Sequence, residues 1–246
     1  MAQSILELDR DGFVVLPRVF SDVDVAEILS AWSAALGKVD ADDGPLRSRA
    51  GGLYGARNVV RLWPEVVDVW RRSALVDALS TALGPDFGLV RVLFFNKPPE
   101  QSWSLPWHKD LTIAVRNNRL PSTHFCKPTT KAGVPHVEAP QALLERMLTA
   151  RIHLDEVTSE NGPLQVVPGS HQTGKLPFAG DAAPQSILCA AGEVLLMRPL
   201  LAHCSGHSIP DTARHRRILH LEFAADPDLP DGYAWHSWIP FNTQNA

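Results

Sequence analysis

Between residues 89 and 223 the sequence is cut into short runs rich in Val, Ile, Leu and Phe, separated by turn residues, and this pattern limits the fold most strongly. The runs occupy 89–96, 107–115, 149–157, 163–168, 185–190, 193–198, 200–205 and 216–223. Short runs of β-branched and aromatic residues bounded by Gly, Pro, Asn and Ser predict strands, and 159-SENGP-163 carries a hairpin signal. Eight such strands with uneven connections predict a double-sheet jelly roll, a cupin-like double-stranded β-helix. The long connection 116–148, ending in a short helix over 140–148, is an insert of the kind that serves as a lid or binding loop.

The preceding residues, 1–88, predict a helical buttress against a core spanning 89–225. After the apolar segment 13-FVVLP-17, Ser21 is placed to cap a helix. Its apolar residues Val25, Ile28, Leu29, Trp32 and Leu36 follow the helical period up to Gly37. A second helical stretch runs from Pro64 to Leu83, broken near Ser73 and closed by Gly84-Pro85. A length of 246 residues, with 20 scattered prolines and no repeat, points to one domain.

A net charge of −4 gives no sign of a general attraction to nucleic acid or acidic membrane surfaces. No apolar run approaches the ~18 residues that cross a bilayer. The N-terminus lacks the unbroken apolar core of a signal peptide, so a cytoplasmic location is expected. Cys126, Cys189 and Cys204 are too widely spaced for a disulfide framework or a Cys-x-x-Cys zinc site. Nothing here fixes the oligomeric state.

The stretch 103-WSLPWHKD-110 raises a chemical question. Residues i and i+2 of an extended segment share a face, so His108 and Asp110 aim an imidazole and a carboxylate at one point. His153 and Asp155 repeat the spacing, and an isolated His-x-Asp is commonly structural. His108 and Asp110 lie on the second predicted strand and His203 on the seventh, and those strands can meet at the open end of a jelly roll. Two imidazoles and one carboxylate on one face of an octahedron suit Fe(II) and oxygen chemistry. Zinc more often takes Cys ligands or a closed four-coordinate set. Past His203, the stretch 205-SGHSIPDTARHRR-217 offers arginines able to hold a carboxylate in a bidentate pair, although arginine-rich strand ends are also common as solvated edges.

Five ordered motifs, FFNKPP, WSLPWHKD, RIHLDEVTSENGPLQVVPGSH, MRPLLAHCS and RRILHLEFA, together with the opening DGFVVLP, resemble the phytanoyl-CoA dioxygenase family of Fe(II)- and 2-oxoglutarate-dependent oxygenases. The resemblance covers roughly residues 10 to 225. It implies iron ligands His108, Asp110 and His203, and no iron role for His153 or Asp155. It implies that an arginine opening the last strand holds 2-oxoglutarate. The family's usual spacing falls on Arg214, whereas the strand opens at Arg216, which a loop longer by two residues would explain. Ser205 matches a hydroxyl that assists the same carboxylate, and Arg151 is a further candidate for the pocket. Ser208 replaces an asparagine of the family pattern.

By that resemblance the chain hydroxylates a small-molecule substrate with O2, releasing succinate and CO2. Halogenating relatives carry a small residue in place of the carboxylate ligand, so Asp110 implies hydroxylation or a related oxidation. Trp103 and Trp107 are candidates for the site wall. The insert offers Arg116, Arg119, His124, Phe125, Lys127, Lys131 and His136 toward a polar or anionic substrate. A non-catalytic jelly-roll binding protein and a cupin-like metalloenzyme without 2-oxoglutarate are the competing classes.

Overall fold

A computed structural model describes residues 2–38, 45–47, 53–99, 102–177 and 183–242. The N-terminal elements are α1 (Ala2–Asp11), β1 (Phe13–Leu16), α2 (Asp22–Leu36), β2 (Pro45–Arg47), β3 (Leu53–Ala56), α3 (Val59–Leu62) and α4 (Ser73–Leu83). The middle of the chain supplies β4 (Gly88–Lys97), β5 (Leu105–His108), β6 (Thr112–Ala114), β7 (Cys126–Lys131), β8 (Val134–Glu138), α5 (Gln141–Glu145) and β9 (Met147–His153). The last third supplies β10 (Leu164–Val166), β11 (Gln185–Ile187), β12 (Val194–Met197), β13 (His203–Ser205), β14 (Arg216–Ala224) and β15 (Ile239–Pro240).

A large antiparallel sheet runs β1-β12-β9-β14-β4-β3-β2, with β15 added to β4. A smaller sheet runs β11-β10-β13-β5, and a third runs β6-β8-β7. The two-residue period of a strand gives the large sheet two different faces. Val92, Phe94, Ala150, Ile152, Leu196, Leu219 and Leu221 point one way and join Val25, Ile28, Trp32, Leu75 and Leu79 of the helices in one apolar cluster. Leu195 and Met197 point the other way and pack with Leu164, Val166 and Ile187 of the smaller sheet. The alternate residues of β4, β9 and β14 therefore face the space between the sheets, and there they are largely polar: Arg91, Lys97, Thr149, Arg151, His153, Arg216, His220 and Glu222.

The buttress is partly as expected. Ser21 caps α2 through a full capping box, its hydroxyl accepting from the Asp24 N–H while the Asp24 carboxylate accepts from the Ser21 N–H. Val25, Ile28 and Trp32 are its buried face, and Gly37 ends it. The stretch 64–83 divides into a 3-10 turn over Pro64–Asp68 and α4 from Ser73. The first 88 residues are not purely helical, however. β1, β2 and β3 all join the large sheet, and pairing across the sheet, not local pattern, holds them there.

Three further expectations are corrected. The segment 107–115 is not one strand. β5 pairs with β13 in the smaller sheet while β6 pairs with β8 in the third, and the chain turns between them where the Asp110 N–H donates to the Pro199 carbonyl at 2.8 Å. The stretch 159–163 is not a hairpin, because β9 and β10 belong to different sheets. It is a crossover in which the Asn161 amide donates to the Glu156 and His215 carbonyls and Gly162 takes φ +65°. The insert, expected as a long connection ending in a helix over 140–148, contains two strands and a shorter helix. β7 and β8 form a hairpin through Ala132 and Gly133, both at positive φ, the turn that two-residue loops favour. The helix within it spans only Gln141–Glu145, and β9 begins at Met147.

Candidate active site

Antiparallel pairing of β5 and β13 sets His203 opposite His108, with ring centroids 4.1 Å apart. The turn that ends β5 brings Asp110 back toward both rings. Its carboxylate oxygens lie 3.8 Å from His108 Nε2 and 3.7 Å from His203 Nε2. All three donor atoms fall within 4.8 Å of one another. Each ring is fixed by its other nitrogen: His108 Nδ1 is 2.7 Å from the Pro106 carbonyl and His203 Nδ1 is 2.9 Å from the Leu201 carbonyl. A carbonyl only accepts, so Nδ1 carries the hydrogen and Nε2 keeps its lone pair toward the other donors. Burial pushes His203 down to about 4 against the pull of Asp110, which makes it a neutral imidazole at pH 7. For Asp110, burial opposes ionisation, but His203, His220, His108 and Arg151 outweigh it and hold the carboxyl below its usual range. An anionic oxygen with neutral imidazole nitrogen is a donor set suited to a divalent first-row metal.

The triad opens into a cavity of about 430 Å³ between the sheets. At one end, Arg216 stands opposite Lys97 in the β14·β4 register, and both are buried. Lys97 Nζ donates to the Gly206 carbonyl at 2.5 Å and lies 3.3 Å from Ser205 Oγ, while Arg216 Nη1 donates to the Gly162 carbonyl at 2.7 Å. Both cations lie over the Trp103 ring, at 4.8 and 5.9 Å. Arg151 Nη1 sits 3.2 Å from His220 Nδ1, and His220 Nε2 is 3.5 Å from Glu222. Burial, then Arg216 and Arg151, lowers Lys97 to about 6. Burial, then Arg151, lowers Arg216 to about 9.

No carboxylate forms an ion pair with Lys97, Arg151 or Arg216 among the described residues. The Nε atoms of Arg151 and Arg216 are buried without any hydrogen-bond partner. A buried cation lacking an anion costs several kcal/mol, on the order of what breaking a buried pair costs. These orphaned donors beside the triad fit a carboxylate-bearing ligand.

The sequence-derived candidates separate cleanly in space. His108, Asp110, His203, Ser205, Arg151 and Arg216 all line the one cavity, as does Trp103. Arg214 lies on the surface, paired with Glu156 at 2.6 Å and Glu160 at 3.3 Å. The second His-x-Asp is structural. His153 is buried against the Glu193 carbonyl, and Asp155 holds Arg217 at 2.6 Å. Trp107 is 46% exposed and does not line the cavity. Of the polar insert residues, Lys131 alone lines it among those described, while Lys127 pairs with Glu138 and His124 with Asp231. Sequence reasoning passed over Lys97, His220, Glu222, Arg91 and Arg57. The signal for Lys97 was present, since it continues the inward alternation Arg91, Leu93, Phe95.

The profile of the phytanoyl-CoA dioxygenase (PhyH) family matches residues 8–216. L-proline trans-4-hydroxylase of Streptomyces griseoviridis is 27% identical over 169 residues, covering 67% of this chain and 53% of the relative. Ectoine dioxygenase of Sphingopyxis alaskensis is 25% identical over 175 residues, covering 70% of this chain and 50% of the relative. The chain thus spans about half the length of these curated relatives. Among solved structures, AviO1 of Streptomyces viridochromogenes Tue57 superposes with a TM-score of 0.64 at 22% identity, covering 93% of this chain and 96% of that one. EctD of S. alaskensis with 2-oxoglutarate and 5-hydroxyectoine superposes with a TM-score of 0.68 at 22% identity, covering 92% and 76%. At such identities the superpositions establish the shared jelly-roll fold. Among the described residues no helix is long and apolar enough to cross a membrane.

Proposed function

This chain belongs to the phytanoyl-CoA dioxygenase family, and from that premise we propose that it is an Fe(II)- and 2-oxoglutarate-dependent oxygenase hydroxylating a small-molecule substrate. The observation that carries the proposal is the conjunction of two features of one cavity. A His-Asp-His donor set and two arginines with unpartnered buried Nε atoms face the same enclosed space.

His108, Asp110 and His203 hold the metal through Nε2, a carboxylate oxygen and Nε2. Arg216 receives the distal carboxylate of 2-oxoglutarate, with the Ser205 hydroxyl beside it and Arg151 nearer the triad. When bound, Fe(II) and 2-oxoglutarate would let O2 serve as the oxidant, one oxygen atom entering succinate as CO2 leaves and the other entering the hydroxylated product. The protein's own contribution is positioning and electrostatics. Carbonyls of Pro106 and Leu201 fix both imidazoles in the ligating tautomer, and Trp103 closes the floor beneath Arg216 and Lys97. The β7–β8 hairpin is the lid. Its tip is tied to the buttress by the Asn58 amide, which donates to the Ala132 carbonyl at 3.0 Å. The hydroxylase and dioxygenase relatives, and the EctD complex with 2-oxoglutarate, support the reading.

The test is anaerobic titration of Fe(II) and 2-oxoglutarate followed by visible absorption, then succinate measurement on admitting oxygen. A metal-dependent absorption change with oxygen-dependent succinate supports the oxygenase. Metal binding without any 2-oxoglutarate effect would instead indicate a cupin-like metalloenzyme, and no metal binding a jelly-roll binding protein.

A further inference from the structure

The cavity holds a second group of cations at the other end of the same sheet face. On β4, Lys97 and Arg91 both point inward but lie six residues apart, roughly 20 Å along an extended strand. The partner register follows suit, with Arg216 opposite Lys97 and Glu222 opposite Arg91. Around Arg91 stand Arg57 and Lys131, and all three line the cavity together with the triad residues His108 and Asp110. Such a span is far longer than a five-carbon diacid, so one 2-oxoglutarate cannot serve both groups.

Charge in this second group does not balance. Arg91 pairs with Glu222 at 3.2 Å. Lys131 Nζ donates only to the Thr112 hydroxyl, at 2.8 Å, and Arg57 makes no hydrogen bond or ion pair among the described residues. Burial, reinforced by Arg91, disfavours the charge on both Arg57 and Lys131. Glu222 offsets this for both cations, and Asp110, the carboxylate of the triad, does so for Lys131, but neither forms an ion pair with Arg57 or Lys131 among the described residues, so three cations face one carboxylate that is not committed to the triad. The two cations without an ion pair among the described residues come from separate parts of the chain, the segment after β3 and the end of β7, and the Asn58 to Ala132 bond clasps those parts together.

We propose that the substrate carries an oxyanion, a carboxylate or phosphate, which Arg57 and Lys131 grip while Arg91 and Glu222 complete the wall. The proposal rests on the oxygenase reading for its location beside the metal. It makes Arg57 and Lys131 specificity residues that do not touch 2-oxoglutarate.

The test uses three probes on one skeleton, cyclohexanecarboxylate, cyclohexyl phosphate and cyclohexanecarboxamide, titrated calorimetrically into protein already saturated anaerobically with Fe(II) and 2-oxoglutarate. At least one anion is expected to bind about tenfold or more tightly than the amide, as charge-assisted hydrogen bonds predict, and the tighter anion identifies the source. Arg57→Gln with Lys131→Met should abolish that preference, and Arg57→Lys should retain much of it, while 2-oxoglutarate affinity stays within about threefold in every variant. No preference of either anion over the amide, or a preference that survives the double substitution, overturns the proposal. Should 2-oxoglutarate itself fail to bind the wild-type protein, it is the oxygenase reading that falls, and probe binding measured on the metal-loaded protein still decides the anion site.

Discussion

Arg216 and Lys97 occupy one register pair of β14 and β4, two basic side chains turned into the same interior with no ion-pairing acid among the described residues. Such pairs are destabilising on an open sheet, and burial makes this one more costly. The cost falls on the lysine, whose proton is the one that can leave.

A pH dependence of co-substrate binding follows. In the free protein Lys97 is held down to about 6 by burial, Arg216 and Arg151. A dicarboxylate on Arg216 favours the protonated lysine and so raises that value. A group whose pKa rises on binding strengthens binding fully below its free value, and the gain is lost as pH rises through the bound value. The dissociation constant of 2-oxoglutarate should therefore weaken from pH 6 upward, with proton uptake visible as a heat that depends on the buffer. Lys97→Met should flatten both, and an unchanged buffer dependence in that variant would exclude Lys97 as the source.

Arginine substitutions separate the two candidates that the spacing left open. Removing one partner of a desolvated charge pair costs ~2–5 kcal/mol, so Arg216→Ala should weaken 2-oxoglutarate binding about thirtyfold or more. Arg214→Ala breaks only surface pairs with Glu156 and Glu160 and should change it by less than about threefold. Normal binding in the Arg216 variant, measured calorimetrically, refutes the assignment.

The two His-x-Asp pairs should behave oppositely. Asp110→Ala removes the anionic donor and is expected to lower Fe(II) affinity by about tenfold or more, while leaving the melting temperature nearly unchanged. Asp155→Ala leaves the metal site untouched but strips Arg217 of a bidentate partner at 2.6–2.9 Å. It should lower stability by ~1 kcal/mol and leave metal binding intact. Metal loss in the Asp155 variant, or retention in the Asp110 variant, reverses the choice between them.

These contrasts show what the sequence carries and what it does not. The α2 cap, the break before α4 and most core strands are local patterns, legible from Ser21, Ser73 and the alternation of Leu219, Leu221 and Phe223. The split of 107–115 was hidden because its hydrophobic pattern continues across Asp110, and only pairing with two different sheets ends the strand there. The Asn-Gly at 161–162 is a true turn signal, used here to cross between sheets instead of closing a hairpin. β2 and β3 are too short to stand out, and the strands that complete their sheet lie far along the chain. For the site, motif order pointed to the triad and Arg216. Lys131 was one of seven insert residues offered to the substrate and could not be told from the rest, and Arg57 and Arg91 escaped notice because the three come from separate segments and meet only in the folded cavity.

The β7–β8 hairpin offers the last test. Its strand residues on the β7 side are mostly exposed, yet Lys131 at the end of β7 reaches the cavity and the next residue is clasped by Asn58. An element held at its tip over a reaction site suits the exclusion of water from oxidising chemistry. Replacing 130–135 by a tight turn shortens the hairpin without touching the triad, Arg216 or Ser205. Fe(II) and 2-oxoglutarate should still bind within about threefold of wild type, because their ligands come from other strands. Succinate released without any substrate should rise several-fold relative to wild type, and Asn58→Ala should produce a smaller rise in the same direction. If substrate-free turnover is unchanged in both variants while they remain folded and metal-loaded, the hairpin is an edge decoration of the barrel and not its lid.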